Sequence, residues 1–189
     1  DMVGLVFFPK SPRHVSLSEA CKLADMARGR ADIVALTVNM DLDGMSRINE
    51  LVRPDWFQFH GDETPESCAA AKVMFKTKVM KAVSVSEKAD LEKAAFYSIV
   101  ADQILFDAKP PQGSDLPGGN GVSFDWTLLK DLDLGKPFML SGGLDASNVA
   151  EAIALSGASR IDVSSGVERE RGVKDSDLIR AFMAAAKSA

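Results

Sequence analysis

The chain has no apolar run of about 18 residues, no signal-type hydrophobic stretch and no block of basic residues. Nothing in it asks for a membrane, a secretory leader or a nucleic-acid partner. Cysteine is scarce. Cys21 and Cys68 stand in no metal-type spacing and both fall in helical patterns, so no metal is expected and both read as small apolar residues of a reducing compartment, the cytoplasm. There is no internal repeat, no low-complexity segment and no linker, so residues 1–189 are expected to form a single domain. A net charge of −5 with 46% hydrophobic residues fits a soluble globular protein with a well-formed core. Methionine is missing from position 1, where Asp1 leads straight into an apolar run.

What is present is a regular alternation. Asp1–Phe8 reads as a strand buried on both faces, and Ser16 or Ser18 caps a helix through about Arg28 with Glu19 in its first turn. Ile33–Val38 is a strand and Leu42–Leu51 a helix; Trp56–His60 is a strand, ended by Gly61, and Thr64 with Pro65 starts the next helix. Lys78–Val83 and Gln103–Asp107 are strands on either side of a helix from Glu87 to Ala95. After a long Pro/Gly-rich stretch, Ala108 to Ser123, Phe124-Asp125-Trp126 leads into a short helix. The Phe138-Met139-Leu140 strand, a helix from Asn148 to about Leu155, the strand of Ile161 to Val163 and a helix from Asp175 to Lys187 complete the chain. Uniformly apolar strands, each followed by a helix, predict an α/β fold with a parallel sheet, and the expected architecture is a (β/α)₈ TIM barrel with seven βα units visible here. One unit is therefore expected upstream of Asp1.

Two turns carry the strongest chemical signal. Ser141-Gly142-Gly143 and Ser164-Ser165-Gly166 follow consecutive strands. Hydroxyls and backbone N–H groups at strand ends, with glycine allowing close approach, make a phosphate cradle, and the last two strands of a barrel are where such a site sits. Asp107 closes an apolar strand; it is either a partly desolvated general acid or a capping aspartate. Arg13, on a loop stiffened by Pro9 and Pro12, either grips a substrate carboxylate or lies in solvent. His60 ends a strand with Gln58 on the same side, and it serves as acid, base or substrate contact, or as a hydrogen-bonded structural residue. Asp162, inside its strand, reads as one half of a structural ion pair or as a support for its neighbours. Pro117–Gly121 lacks the Lys-Ser/Thr of a P-loop and does not join a strand to a helix, so it reads as a mobile lid over the site.

Taken in order, Gly4–Arg13, Gln58-Phe59-His60-Gly61-Asp62-Glu63, Phe106-Asp107-Ala108-Lys109, Gly118–Gly121 with Phe124-Asp125-Trp126, Ser141–Leu144 and Asp162–Glu168 resemble the phosphoribosylanthranilate isomerase family of tryptophan biosynthesis. The resemblance covers essentially the whole chain. It implies an Amadori rearrangement of N-(5-phosphoribosyl)anthranilate to 1-(2-carboxyphenylamino)-1-deoxyribulose 5-phosphate, without cofactor or metal, in a monomer or homodimer. It implies that Asp107 protonates the furanose oxygen so that the ring opens to a Schiff base, that Arg13 holds the anthranilate carboxylate, and that the two Ser/Gly turns bind the phosphate. It also implies a cysteine base in a Lys-Ile-Cys-Gly type motif on the first strand. This chain contains no such motif, which again points to an upstream segment. Alternatives are another phosphate-binding barrel enzyme, such as a histidine-pathway sugar isomerase or indole-glycerol-phosphate synthase, or a non-catalytic phosphate-binding barrel.

Overall fold

The structure is a computed structural model that describes residues 1–114 and 116–189, leaving Asp115 of the 108–123 stretch outside the description. Its compact parts are two: Asp1–Ala82 with Ile99–Asp102, and Val83–Ser98 with Gln103–Ala189.

In the first, β-branched and aromatic residues build the strands β1 (Met2–Phe7), β2 (Asp32–Thr37), β3 (Trp56–Phe59) and the opening of β4 (Lys78–Val85). They pair in parallel, Met2 opposite Asp32, Val34 opposite Trp56 and Trp56 opposite Lys78. Helices α1 (Leu17–Ala27), α2 (Leu42–Leu51) and α3 (Pro65–Phe75) fill the connections. Their starts are set by side chains. Ser16 accepts from Glu19 N while Glu19 accepts from Ser16 N (3.0 Å), Asp41 caps α2, and Thr64 caps α3 ahead of Pro65.

The second part holds β5 (Gln103–Ala108), β6 (Met139–Leu140) and β7 (Arg160–Ile161), again parallel, with Leu105 opposite Met139 and Met139 opposite Arg160. It contains most of α4 (Leu91–Val100), all of α5 (Val149–Ser156), a hairpin of β8 (Glu168–Glu170) with β9 (Val173–Lys174), and α6 (Ser176–Lys187). Strand order is the sequence order, β1 to β7, in one seven-stranded sheet. The fold is therefore α/β, on a parallel sheet of seven strands.

Several expectations need correction. The first strand is not buried on both faces: Val3 is 40% exposed and Gly4 is open, because β1 stands at the end of the strand order with β2 as its neighbour. Strands are not uniformly apolar, since Lys81 in β4 and Gln103 in β5 are buried. Not every strand leads to an α-helix. A 3₁₀ turn, Trp126–Leu129, follows β5, and a 3₁₀ turn, Ser165–Val167, with the β8–β9 hairpin follows β7; Gly172, at φ +87°, turns that hairpin. The helix predicted from Glu87 to Ala95 begins as a 3₁₀ turn, Lys88–Asp90, where the Asp90 carboxylate ties down Ser86 N and Glu87 N, and becomes α-helical from Leu91 as α4. Asp162 and Val163 lie beyond β7, whose ladder ends at Ile161, and Asp162 accepts a hydrogen bond from Ser141 Oγ at 3.0 Å.

Candidate functional site

β5 delivers Asp107 one residue before its end, with 4% of its surface exposed. Strand alternation puts it on the same face as Gln103 and Leu105. Its Oδ1 accepts from Ala108 N at 2.9 Å. The next strand ends in Ser141, whose N–H continues the ladder to Phe106 O (2.8 Å). Gly142 and Gly143 follow at φ +92° and +64°. A Cβ on Gly142 would lie 2.6 Å from Ala108 N and 3.1 Å from Asp107 Oδ1, so only glycine lets this turn close onto the aspartate's strand end. Gly143 packs as tightly on Val122 and Ser123, at the end of the Pro/Gly-rich stretch.

The second turn seats against the first: a Cβ on Gly166 would stand 1.9 Å from Leu144 O. Among the described residues, the backbone N–H groups of Gly142, Gly143, Ser165 and Gly166 meet no protein acceptor. The neighbouring carbonyls are occupied. Asn148 Nδ2 donates to Gly143 O (2.9 Å), and Lys174 Nζ donates to Ser164 O (2.7 Å). The Ser147 hydroxyl, donating at 2.6 Å, together with backbone donors, holds the Asp145 carboxyl below its ordinary range despite partial burial. The turns thus present half-buried donors that suit an anion. The hydroxyls contribute less than the sequence suggests, since Ser141 Oγ donates to Asp162 and Ser164 Oγ accepts from Lys174 at 3.2 Å.

In the first part of the chain, Arg13 is half-buried on the turn after β1, where its N–H donates to Ser11 Oγ (3.2 Å) and Ser11 N to Phe8 O. Gln58, 6% exposed in β3, has its Nε2 3.0 Å from Nδ1 of His60, one residue beyond the strand. An amide NH₂ can only donate, which makes Nδ1 the acceptor and places the proton of the neutral ring on Nε2.

Beneath this turn lies a buried pair that the sequence did not reveal. Lys81 Nζ, 3% exposed, donates to Glu63 Oε2 at 3.0 Å and to the carbonyls of Gly61 (2.5 Å) and Phe59 (3.4 Å). Glu63 accepts in turn from Asn39 N (2.8 Å) and Gly61 N (3.0 Å). A lysine inside the apolar run Val79-Met80-Lys81-Ala82-Val83 was the available signal, because a buried ammonium requires a partner. Among the described residues, two buried side-chain atoms, Thr37 Oγ1 and Trp126 Nε1, have no protein partner.

The structure therefore gathers Asp107, Ser141–Gly143 and Ser164–Gly166 into one cluster and sets Gln58 beside His60, with Arg13 on its own turn. Neither cysteine offers reactive chemistry at these places. Cys68 is fully buried in α3 and burial pushes its thiol up to about 11, while Cys21 sits in α1 with Sγ 3.5 Å from Leu51 O. No group of three or more His, Cys, Asp or Glu side chains fit to hold a metal occurs among the described residues. Nor, among them, is any helix long and apolar enough to cross a membrane.

The family model described as N-(5'phosphoribosyl)anthranilate (PRA) isomerase matches residues 1–185. The chain is 56% identical over 189 residues to N-(5'-phosphoribosyl)anthranilate isomerase of Afipia carboxidovorans, which covers all of this chain and 81% of that protein. The crystal structure of phosphoribosyl anthranilate isomerase from Thermotoga maritima superposes with a TM-score of 0.87 at 36% identity, covering 100% of this chain and 89% of that one. A phosphoribosyl anthranilate isomerase in complex with reduced 1-(o-carboxyphenylamino)-1-deoxyribulose 5-phosphate has a TM-score of 0.85 at 34% identity, covering 100% and 88%.

Proposed function

The chain belongs to the N-(5'-phosphoribosyl)anthranilate isomerase family, and on that premise we propose how its residues divide the work of an isomerase of tryptophan biosynthesis. Asp107 is the general acid. Its proton goes to the furanose ring oxygen of N-(5-phosphoribosyl)anthranilate, the C1–O bond breaks, and the anilino nitrogen supplies the electron pair that makes the Schiff base. Removal of the C2 proton then gives an enolamine, which tautomerises to the ketone of 1-(2-carboxyphenylamino)-1-deoxyribulose 5-phosphate. Asp107 suits this step by its position, a buried carboxyl at the strand end against which the two turns, by holding the phosphate, set the substrate.

The N–H groups of Gly142, Gly143, Ser165 and Gly166 hold that phosphate, with Ser141 and Ser164 shaping the turns. Arg13 pairs with the anthranilate carboxylate, and His60, oriented by Gln58, contacts the substrate. Neither Cys21 nor Cys68 removes the C2 proton; Cys68, with its thiol pushed up to about 11, stays protonated and cannot act as a base near neutral pH. The complete fold is read as an eight-stranded (β/α)₈ barrel in a single domain, the 108–123 stretch as a lid, the compartment as the cytoplasm, and the working form as a monomer or homodimer.

The observation that carries this reading is the packing of Gly142 against Asp107 Oδ1 and Ala108 N, which puts the acid and the donor-lined turns in one place. The test is the fluorescence decay of freshly generated N-(5-phosphoribosyl)anthranilate. Decay that depends on the protein and is lost in Asp107→Asn supports the assignment; a folded Asp107→Asn protein that turns over at the parent rate refutes it.

A further inference from the structure

We infer that Lys174 is a positioning residue for phosphate binding: from the β8–β9 hairpin it fixes the Ser164–Ser165 peptide so that the Ser165 N–H faces the anion. The inference rests on the phosphate reading of the two turns. Lys174 Nζ donates to Ser164 O at 2.7 Å and to Ser164 Oγ at 3.2 Å, and it pairs with Glu168 Oε1 at 2.9 Å. Glu168, whose side chain is 4% exposed, is held in turn by Gly172 N through Oε2 at 3.1 Å. The hairpin is joined to the 3₁₀ turn by Asp175 N donating to Val167 O at 2.9 Å.

In a planar trans peptide the carbonyl and the following N–H point in opposite directions. A cation gripping Ser164 O from the hairpin side therefore turns the Ser165 N–H to the other side, where it meets no protein acceptor among the described residues. Without that grip Ser164 O keeps only the long bond from Val167 N (3.5 Å), which holds the peptide weakly, and a peptide that rotates presents a carbonyl oxygen to the anion in place of a donor. Ser164 itself has φ −123° and ψ −77°, away from the helical well of the turn that follows, so its neighbours must hold the conformation.

Lys174 does not act as a bare charge on the phosphate. Its ammonium is already paired with a buried carboxylate, and that pairing separates orientation from electrostatics experimentally. Removing the carboxylate charge with Glu168→Gln raises the net positive charge near the turn, yet it loosens the anchor of Lys174. If Lys174 acts by orienting the peptide, Glu168→Gln weakens anion binding; if it acts only by charge, the same substitution tightens it.

The experiment measures inorganic phosphate as a competitive inhibitor of the isomerisation for the parent chain, Lys174→Met, Lys174→Arg and Glu168→Gln. Loss of one charge-assisted hydrogen bond to the turn is expected to raise the inhibition constant about ten-fold in Lys174→Met. KM should rise with it and by more than kcat changes, Lys174→Arg should restore much of the affinity, and Glu168→Gln should weaken binding. An inhibition constant in Lys174→Met equal to that of the parent, or tighter binding in Glu168→Gln, overturns the inference and leaves the phosphate site standing. A parent enzyme that phosphate does not inhibit overturns the phosphate reading itself, and this inference with it.

Discussion

At the start of β5, Gln103 is fully buried and both polar ends of its side chain are bonded. Nε2 donates to Ile104 O (3.0 Å) and Pro137 O (2.9 Å), and Oε1 accepts from Arg160 at the start of β7. Four residues on, near the other end of the same strand, Asp107 packs beside turns whose N–H groups meet no acceptor among the described residues. One end of these strands closes its hydrogen bonds internally, and the other withholds them. The difference teaches where the free energy goes. Donors satisfied inside the protein contribute to stability, whereas donors that meet no protein acceptor in half-buried turns do not.

Substitutions at the two ends should therefore separate turnover from stability. The largest effect is expected for Asp107→Asn, which keeps an oxygen for Ala108 N but has no carboxyl proton to deliver: kcat should fall by about 10² to 10⁴ with little change in melting temperature. Next comes Gly166→Ala. Its methyl would collide with Leu144 O, so chemical denaturation should show a loss of about 1–3 kcal/mol, and KM should rise as the turns part.

Gln103→Leu tests the opposite end. It strips Pro137 O and Arg160 of a partner, and about 1–3 kcal/mol of stability should go while kcat/KM of the folded protein stays unchanged. A matching loss of catalytic efficiency would break the comparison. The smallest effect concerns pH. Asp145 sits on the turn end and its carboxyl is held low, chiefly by Ser147. A group with a depressed folded pKa adds stability above its unfolded value near 4, and loses it as pH falls through the folded one. Asp145→Asn should therefore flatten the acid limb of the stability curve below about pH 4, whereas Gln103, which does not titrate, should leave it unaltered.

Much of the fold was legible because it depends on local rules. Apolar runs located all seven strands of the parallel sheet, and the caps at Ser16 and Thr64-Pro65 announced the helices they start. The Ser/Gly turns were readable as a pair, since glycine directly after an apolar strand marks backbone that must bend sharply or be closely approached. What escaped was set by contacts distant in sequence. The β8–β9 hairpin carries charged residues, Glu168, Arg169, Glu170 and Lys174, with no apolar alternation to betray it. The Lys81–Glu63 pair spans 18 residues of chain, and its partner became apparent only once β3 and β4 were side by side. The β-branched pair Ile161 and Val163 suggests a strand running through Asp162, yet β7 ends at Ile161 and the bond from Ser141 makes Asp162 a brace at the mouth of β6.

The seat of Gly166 on Leu144 also bears on how this site can change over generations or in a library. Two loops on different βα units share one van der Waals surface, so a substitution in either is judged by the other. Randomising 141–145 alone, or 164–168 alone, should return mostly parental sequences. Productive departures should come in pairs, and a new substrate preference at this end of the molecule would be reached by changing both turns together.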